Sequence, residues 1–419
     1  MAHRTVSIFS DDETGPLLAD AAQRVGVEPH LFFVKPPSKP LRHPWHQADP
    51  YLPPEQLGKV IQEAMGTPLG IVSCIEQLSV NLARTAEWLE ISPGPVTACE
   101  ILRSKSRMKS VWETAGVRTP SSALIQRTSE LQSARLDYPV IVKPTHGAAS
   151  AGVRIVGNEQ ELVKQIRQIF RFNATTLGNE AVEQPGALIE EYIDGEEYSV
   201  DTIWYKGQPL MDGIMSKGNP QGPTFPDRLY FTDPSLDEEI EQQLLALSHA
   251  AVSAAGVYSG ASHTEIRMRK QEGYVLEAAL RPGAGGCFYE LFERATGLPF
   301  SEAFILASLG AHSPDDIRYL KELSSRSAKH KTRMYWYNMG YKGYGIINSI
   351  HGIEKVLSNP YVSKLAIRKN TGDYLSPESD SFAYFGWITG QLPEPDPALD
   401  YHEWLSRLET SIEIGYKTS

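Results

Sequence analysis

The chain has 419 residues, 41% hydrophobic and 22% charged, with 33 glycines and 29 prolines. At roughly 150 residues per domain that describes a folded chain of two to three domains and excludes a fibre, a peptide scaffold or a disordered segment. Lys and Arg number 40 against 51 Asp and Glu, a net charge of −11, which argues against nucleic acid as a partner.

Cys74, Cys99 and Cys287 are too few and too scattered for a disulfide framework or a zinc site. No signal peptide and no bilayer-length apolar run is read, so a cytoplasmic protein with no membrane partner is expected. Thr5 to Phe9 reads as a buried strand, Leu17, Leu18, Ala21 and Val25 as a helical stripe, and His30 to Val34 as a second strand. The rhythm returns at Gly70 to Ser73 and in a helix carrying Leu78, Leu82, Ala86 and Leu89. Residues 1–100 are therefore expected to form a parallel α/β domain. No GxGxxG follows the first strand, which favours a substrate-side scaffold over a Rossmann dinucleotide site. His43-Pro-Trp-His46 lacks nearby Cys or carboxylate partners and reads as a loop in preference to a metal pair.

A helix bearing Lys105, Arg107 and Lys109 ends at Ala115-Gly116-Val117. Runs at Val140 to Lys143, Val153 to Val156, Leu188 to Ile193 and Glu197 to Trp204 predict strands, with a helix at Glu159 to Phe170 among them. Asp194-Gly195 is predicted to be a hairpin turn. A Gly/Pro-rich loop from Lys217 to Asp227, a helix from Leu236 to Ala255 and a strand pair from Ser262 to Leu280 complete an α+β unit at 101–323, with a small lobe near 121–195. Ser324 to Arg333 reads as a linker, and 324–419 as a small C-terminal domain closed by a helix near Tyr401 to Ile414.

Lys143 ends a strand and is followed by small residues through His146, Gly147, Ser150 and Gly152. Such a loop lets backbone N–H groups approach phosphate oxygens, and Lys143 adds a point charge; an exposed hairpin loop would have the same composition. The Walker pattern is absent. The runs Ser262 to Arg269 and Gly273 to Arg281 alternate, with Gly273 placed in the turn between them. Pairing about residue 271 sets Glu265 opposite Glu277, on one face with His263, Arg267, Ala279 and Arg281. Two carboxylates with Cβ atoms roughly 5 Å apart repel unless neutralised. A magnesium ion would do so, as would plain salt bridges to the neighbouring arginines. The acidic run Glu190 to Asp201 alone reads as a solvated sheet edge.

Taken in order, these pieces resemble the ATP-grasp superfamily, in which an ATP–magnesium complex lies between two α+β lobes and a carboxylate is activated as an acyl phosphate. The resemblance implies phosphate contacts from Lys105 and Lys143 and a glycine-rich flap at His146 to Gly152. It implies an adenine contact from Glu190, a purine edge along Glu191, Tyr192 and Ile193, and a ribose contact from Glu197. Glu265 and Glu277 become the ligands of magnesium, or of manganese in its place. Gly283, Gly285 and Gly286 look like the family's glycine turn. Ala279 departs from the family's Glu-x-Asn-x-Arg pattern and puts a second metal in doubt, although amino-acid ligases resemble this Glu-x-Ala-x-Arg form. With the C-terminal run Gly345 to Val356, L-amino acid ligases are the group most similar.

That resemblance implies an ADP-forming carboxylate-amine ligase that joins an activated amino acid, or an acylated one, to an amino-acid amine. The amide or dipeptide product would suit the making of small peptide antibiotics. Arg281 and N–H groups near Gly283 would receive the charge growing on the carbonyl oxygen. His263 would accept an amine proton or orient a substrate carboxylate. Cys287 reads as a packed small residue rather than an acyl carrier. Selectivity is expected from Lys217 to Arg228, Ser259 to His263, Tyr289 and Glu290. The alternatives are an ATP-grasp enzyme working through carboxyphosphate and a non-catalytic ATP-binding regulator. Relatives imply a homodimer.

Overall fold

The computed structural model describes residues 4–92, 94–133, 137–147, 150–176, 185–219, 222–326, 328–375, 384–394 and 400–417. The chain opens with β1 (Thr5–Phe9), α1 (Thr14–Arg24), β2 (Glu28–Phe33), β3 (Trp45–Gln47), α2 (Pro54–Met65), β4 (Ile71–Ser73) and α3 (Ser79–Trp88). The four strands form a parallel sheet ordered β3-β2-β1-β4, the outcome of apolar strands alternating with amphipathic helices. Helices α4 (Val96–Arg103) and α5 (Lys105–Ala115) lead out of it, and α5 stops at left-handed Gly116.

Strands β5 (Ser122–Ile125), β6 (Val140–Pro144) and β7 (Arg154–Val156), helix α6 (Glu159–Thr176) and strand β8 (Ala187–Glu191) come next. These strands make an antiparallel sheet ordered β5-β8-β6-β7. The chain continues through β9 (Glu196–Tyr205), β10 (Gln208–Gly218), β11 (Leu229–Phe231), α7 (Glu238–Ala254), β12 (Gly260–Arg269) and β13 (Glu272–Ala279). Helices α8 (Cys287–Thr296), α9 (Phe300–Ser308) and α10 (Pro314–Ser324) follow. The last stretch holds β14 (Met334–Met339), β15 (Gly345–His351), α11 (Ile353–Leu357), β16 (Val362–Ile367), β17 (Tyr374–Leu375), β18 (Gly386–Gln391), α12 (Tyr401–Thr410) and β19 (Glu413–Tyr416). A central sheet of eight strands runs β13-β12-β9-β10-β11-β14-β18-β16, and β17-β15-β19 form a small one. Strands β14, β16 and β18 thus extend the central sheet, and among the described residues three strands of the C-terminal stretch, β15, β17 and β19, form a sheet of their own.

Asp194-Gly195 is not a hairpin turn, because β8 and β9 belong to different sheets and the dipeptide carries the chain between them. Gly195 has φ +106°, and a Cβ there would stand 2.0 Å from the Met268 carbonyl oxygen, so only glycine fits. Gly273 is not in the β12–β13 turn, which is Lys270-Gln271; it lies within β13, where a Cβ would stand 2.4 Å from Leu247 Cδ1 of α7. Strand β10 was not foreseen. Helix α9 is buried on every side, as an all-round apolar helix must be; it packs on α1, β9 and β12 and ties the parallel sheet to the central one.

Candidate active site

A cavity of about 400 Å³ is lined by the Cys74 to Gln77 loop after β4, the start of α5, β6 with the loop after it, the Ile193 linker, β12, β13 and the glycine turn after β13. Strand β12 lies between β13 and β9, and its register sets the site. Across from β9, His263 pairs with Asp201, Glu265 with Ser199 and Arg267 with Glu197. Across from β13, Glu265 pairs with Glu277 and His263 with Ala279. Alternate residues share a face, so His263, Glu265 and Arg267 all line the cavity.

The expected pair Glu265–Glu277 forms, but by a different route. A two-residue turn at Lys270-Gln271 would by itself place Leu276 opposite Glu265; a β-bulge at Leu276 shifts the register so that Glu277 takes that position. The Leu276 carbonyl accepts from Lys143 Nζ at 3.4 Å. A second bulge, between Ser216 and Gly218 of β10, leaves Lys217 as the extra residue beside Glu197.

Lys217 Nζ contacts Glu197 and lies 2.7 Å from Asp227 Oδ1 and 3.0 Å from Glu265 Oε1. The three carboxylates offer oxygens within 4.8 Å of one another. Burial pushes Glu265 up, but Lys217 and His263 together outweigh it and hold the carboxyl well below its usual range. At Asp227 burial prevails and the carboxyl is raised. Arg267 clamps Glu197 through Nη2 and, at 3.2 Å, Nε, and donates to the Ile193 carbonyl at 2.9 Å. His263 Nδ1 is 2.9 Å from Asp201 Oδ2, and Asp201 Oδ1 accepts the Gly283 N–H at 2.5 Å. Burial lowers the imidazole pKa, yet Asp201 outweighs it and the ring is pushed up to about 9. A histidine that is already a cation is suited to orienting an anion rather than taking a proton. Arg281 donates to the Pro282 carbonyl at 3.1 Å and to Glu76 at 3.3 Å.

Elsewhere on the wall, Glu190 lies between Lys109 Nζ at 2.9 Å and Lys143 Nζ at 2.8 Å, all three buried. Burial is the largest influence on both lysines. It prevails at Lys109, pushed down to about 8, while Glu190 and Glu277 outweigh it at Lys143, which is raised. Lys105 Nζ stands 3.2 Å from Glu277 Oε2 and donates to the Gly147 carbonyl at 3.2 Å.

Of the residues expected at the site, Lys105, Lys143, Gly147, Ser150, Glu190, Glu191, Ile193, Glu197, His263, Glu265, Glu277 and Arg281 line this one cavity. His146, Gly152, Tyr192 and Gly283 are not on its lining. His146 is buried with Nδ1 3.0 Å from the Thr145 hydroxyl, and burial, with Arg103 and Lys105, pushes it down to about 4. Tyr192 stacks on Phe225, lies within cation–π reach of Arg267 and lines a separate surface pocket. Gly283 serves through its N–H to Asp201; a Cβ there would stand 2.4 Å from Phe288 Cδ2. Ala148 and Ala149 of the flap lie outside the described residues. Lys109 and Asp201 were not singled out, and Lys217 and Asp227 were expected only within the selectivity loop from Lys217 to Arg228. Of these, Asp201 was within reach, since it lies four residues after Glu197 on an alternating strand. Cys287 is buried and its thiol is pushed up to about 12 by that burial. His43 lies 2.8 Å from Asp20, and His46 is 2.9 Å from His30. Among the described residues, no helix is long and apolar enough to cross a membrane.

Lysines and small-residue backbone on one wall, with two facing carboxylates on another, form the charge pattern that a polyphosphate and a hard divalent cation would require. Residues 136–290 match a family model described as an ATP-grasp domain, and the whole chain has the ATP-grasp fold. The chain superposes on an L-amino acid ligase structure from Bacillus licheniformis with a TM-score of 0.85, 23% identity and 100% of both chains covered. It is 29% identical over 238 residues to D-alanine--D-alanine ligase of Pseudomonas entomophila (strain L48), spanning 53% of this chain and 69% of that one. It is 26% identical over 245 residues to alanine--anticapsin ligase of Bacillus subtilis (strain 168), spanning 54% and 51%.

Proposed function

We propose that this chain is an ADP-forming carboxylate-amine ligase that activates the carboxylate of an amino acid, or of an acylated amino acid, with ATP and joins it to the amine of a second amino acid. The observation that carries this reading is the convergence of Lys105, Lys143, Glu265, Glu277 and Arg281 on one cavity. A regulator that only binds ATP has no use for Arg281 beside the metal carboxylates. The relatives' names point the same way, toward amide bonds between amino acids. Formation of a small peptide natural product and a cytoplasmic, homodimeric enzyme belong to the same proposal, with 1–100, 101–323 and 324–419 as its domains.

A carboxylate needs a leaving group before an amine can attack it, and the γ-phosphate of ATP provides one. Glu265 and Glu277 fit a magnesium ion, which when bound supplies charge neutralisation between phosphate oxygens. Lys143 and Lys105 reach the phosphates, and Gly147 and Ser150 bring backbone over them. Glu190, Glu191, Ile193 and Glu197 hold the nucleoside end. Arg281 steadies the carboxylate and then the oxyanion that forms when the amine attacks. His263, charged and anchored by Asp201, orients a substrate anion, while Asp201 also fixes the glycine turn through Gly283.

The test is ADP release from ATP and magnesium against a panel of amino acids, with products followed by mass spectrometry. Release that needs two co-substrates and yields their summed mass less water is expected. Release driven by bicarbonate alone would replace this reading with carboxyphosphate chemistry.

A further inference from the structure

A second cavity of about 140 Å³ lies beside the first, bordered by β4, helices α3, α4 and α9, and the chain entering β12. It shares Ile75 and Arg281 with the main cavity. Strand β12 runs from one to the other: its start at Gly260 and Ala261, with Ser259 before it, lines the second, and His263, Glu265 and Arg267, two, four and six residues beyond Ala261, line the first. At about 3.3 Å per residue, Ala261 stands roughly 7 Å from the position of His263 along the strand. Among the described residues the walls are mostly apolar, with Leu82, Ala86, Ala98 and Phe304 prominent, and the one charged side chain is Arg281, at the boundary.

We infer that this second cavity is the side-chain pocket of the amino-acid substrate, and that it selects an apolar side chain of roughly four to seven carbons. The inference rests on the ligase reading and names its substrate class. A substrate whose charged end meets Arg281 and His263 can extend its side chain along the β12 face past Ala261. The space suits that occupant, since an apolar protein cavity of about 150 Å³ holds a benzene molecule. A carboxylate or ammonium side chain would enter with no described counter-charge inside, at a large desolvation cost. Of the serines along the wall, Ser92 already donates its hydroxyl to the Gly94 carbonyl at 2.6 Å.

The experiment compares wild type with Ala83→Leu and Ala98→Leu, each adding three carbons to the wall. Two readouts are taken: kcat/KM for ADP release with leucine, methionine or phenylalanine relative to alanine, and direct binding of leucine by calorimetry with a non-hydrolysable ATP analogue and magnesium. Circular dichroism and binding of the analogue serve as fold controls; Ala83 is half-buried on a helix surface, where leucine is well tolerated. The expected result is a preference for the large apolar amino acids in wild type that falls at least tenfold in both variants, with leucine binding weakened in parallel. An unchanged preference with intact turnover overturns the pocket and leaves the ligase reading standing. Leucine binding that the variants weaken, without turnover by any amino acid, sustains the pocket and sinks the ligase reading. Absence of leucine binding in wild type overturns the pocket.

Discussion

Replacing Lys217 by methionine removes the one cation that touches all three carboxylates of Glu197, Asp227 and Glu265. At their outer separation of 4.8 Å, two unit charges repel by about 3.5 kcal/mol at an effective dielectric of 20. Arg267 still compensates Glu197 and His263 still faces Glu265, and Asp227, already raised, takes up a proton most readily. The net cost is therefore that of one broken buried pair, ~3–5 kcal/mol. A cooperative chain of this length unfolds with an entropy of roughly 0.9 kcal/mol/K, so the melting temperature falls by ~4 °C. Because the vacated oxygens suit a divalent cation, manganese added without nucleotide should restore most of that loss in the variant and do little for wild type. Differential scanning fluorimetry reads the shift, and electron paramagnetic resonance counts free manganese. A variant that melts with wild type, or a wild type that binds free manganese as tightly as the variant, would refute the reasoning.

Gly195→Ala forces a Cβ into the Met268 carbonyl at the joint between two sheets, so melting temperature and nucleotide affinity should fall together; an unchanged affinity by calorimetry would separate the joint from the site. Glu277→Gln keeps the shape of the cavity and removes one of the carboxylates proposed for the metal, and amino-acid-dependent ADP release should drop ~100-fold or more, with the magnesium requirement moved to higher concentration in a titration. His330, stacked on Phe292, is pushed down to about 4 by burial. Its pKa is thus lower folded than unfolded, and its contribution to stability is full above about pH 6.5 and lost as pH falls toward 4. His330→Phe should therefore show a shallower fall of melting temperature across that window, measured against wild type by fluorimetry.

Strands β1, β2 and β4 of the opening sheet, β6 to β9 and β12 and β13 of the antiparallel sheets, and most of the cavity wall were legible because each rests on local pattern: period two in β12 and β13, a stop at Gly116, small residues after Lys143. What escaped depends on pairing between distant segments. The Glu265–Glu277 pair was expected, but the bulge at Leu276 that produces it was not, since a bulge leaves no mark in an alternating run. Lys217 was read as the start of a loop, yet it is the extra residue of a bulge in β10, a strand whose polar and small residues hide its period. Asp194-Gly195 has the composition of a hairpin turn, and only the assignment of β8 and β9 to separate sheets shows it to be a joint. Lys109 was read only as one of the cations of a helix; its burial against Glu190 depends on β8, a strand from a distant part of the chain.

Both carboxylates proposed for the metal are paired with lysines, Glu277 with Lys105 at 3.2 Å and Glu265 with Lys217 at 3.0 Å. A metal arriving alone must displace those ammonium groups and leave them buried without anions. A triphosphate arriving alone must face Glu265 and Glu277. When both enter, the lysines pass to the phosphates and the metal takes the carboxylates, so no charge is left unpaired. Nucleotide and metal should consequently bind with mutual dependence, each tightening the other by the same factor, as linkage requires. Calorimetry of ADP with and without magnesium, and of manganese with and without ADP, measures both sides. A factor of tenfold or more is expected beyond that of the same pair in water, falling toward that solution value in Lys105→Met. If the coupling in wild type equals the solution value, the lysines are ordinary salt bridges and take no part in loading the site.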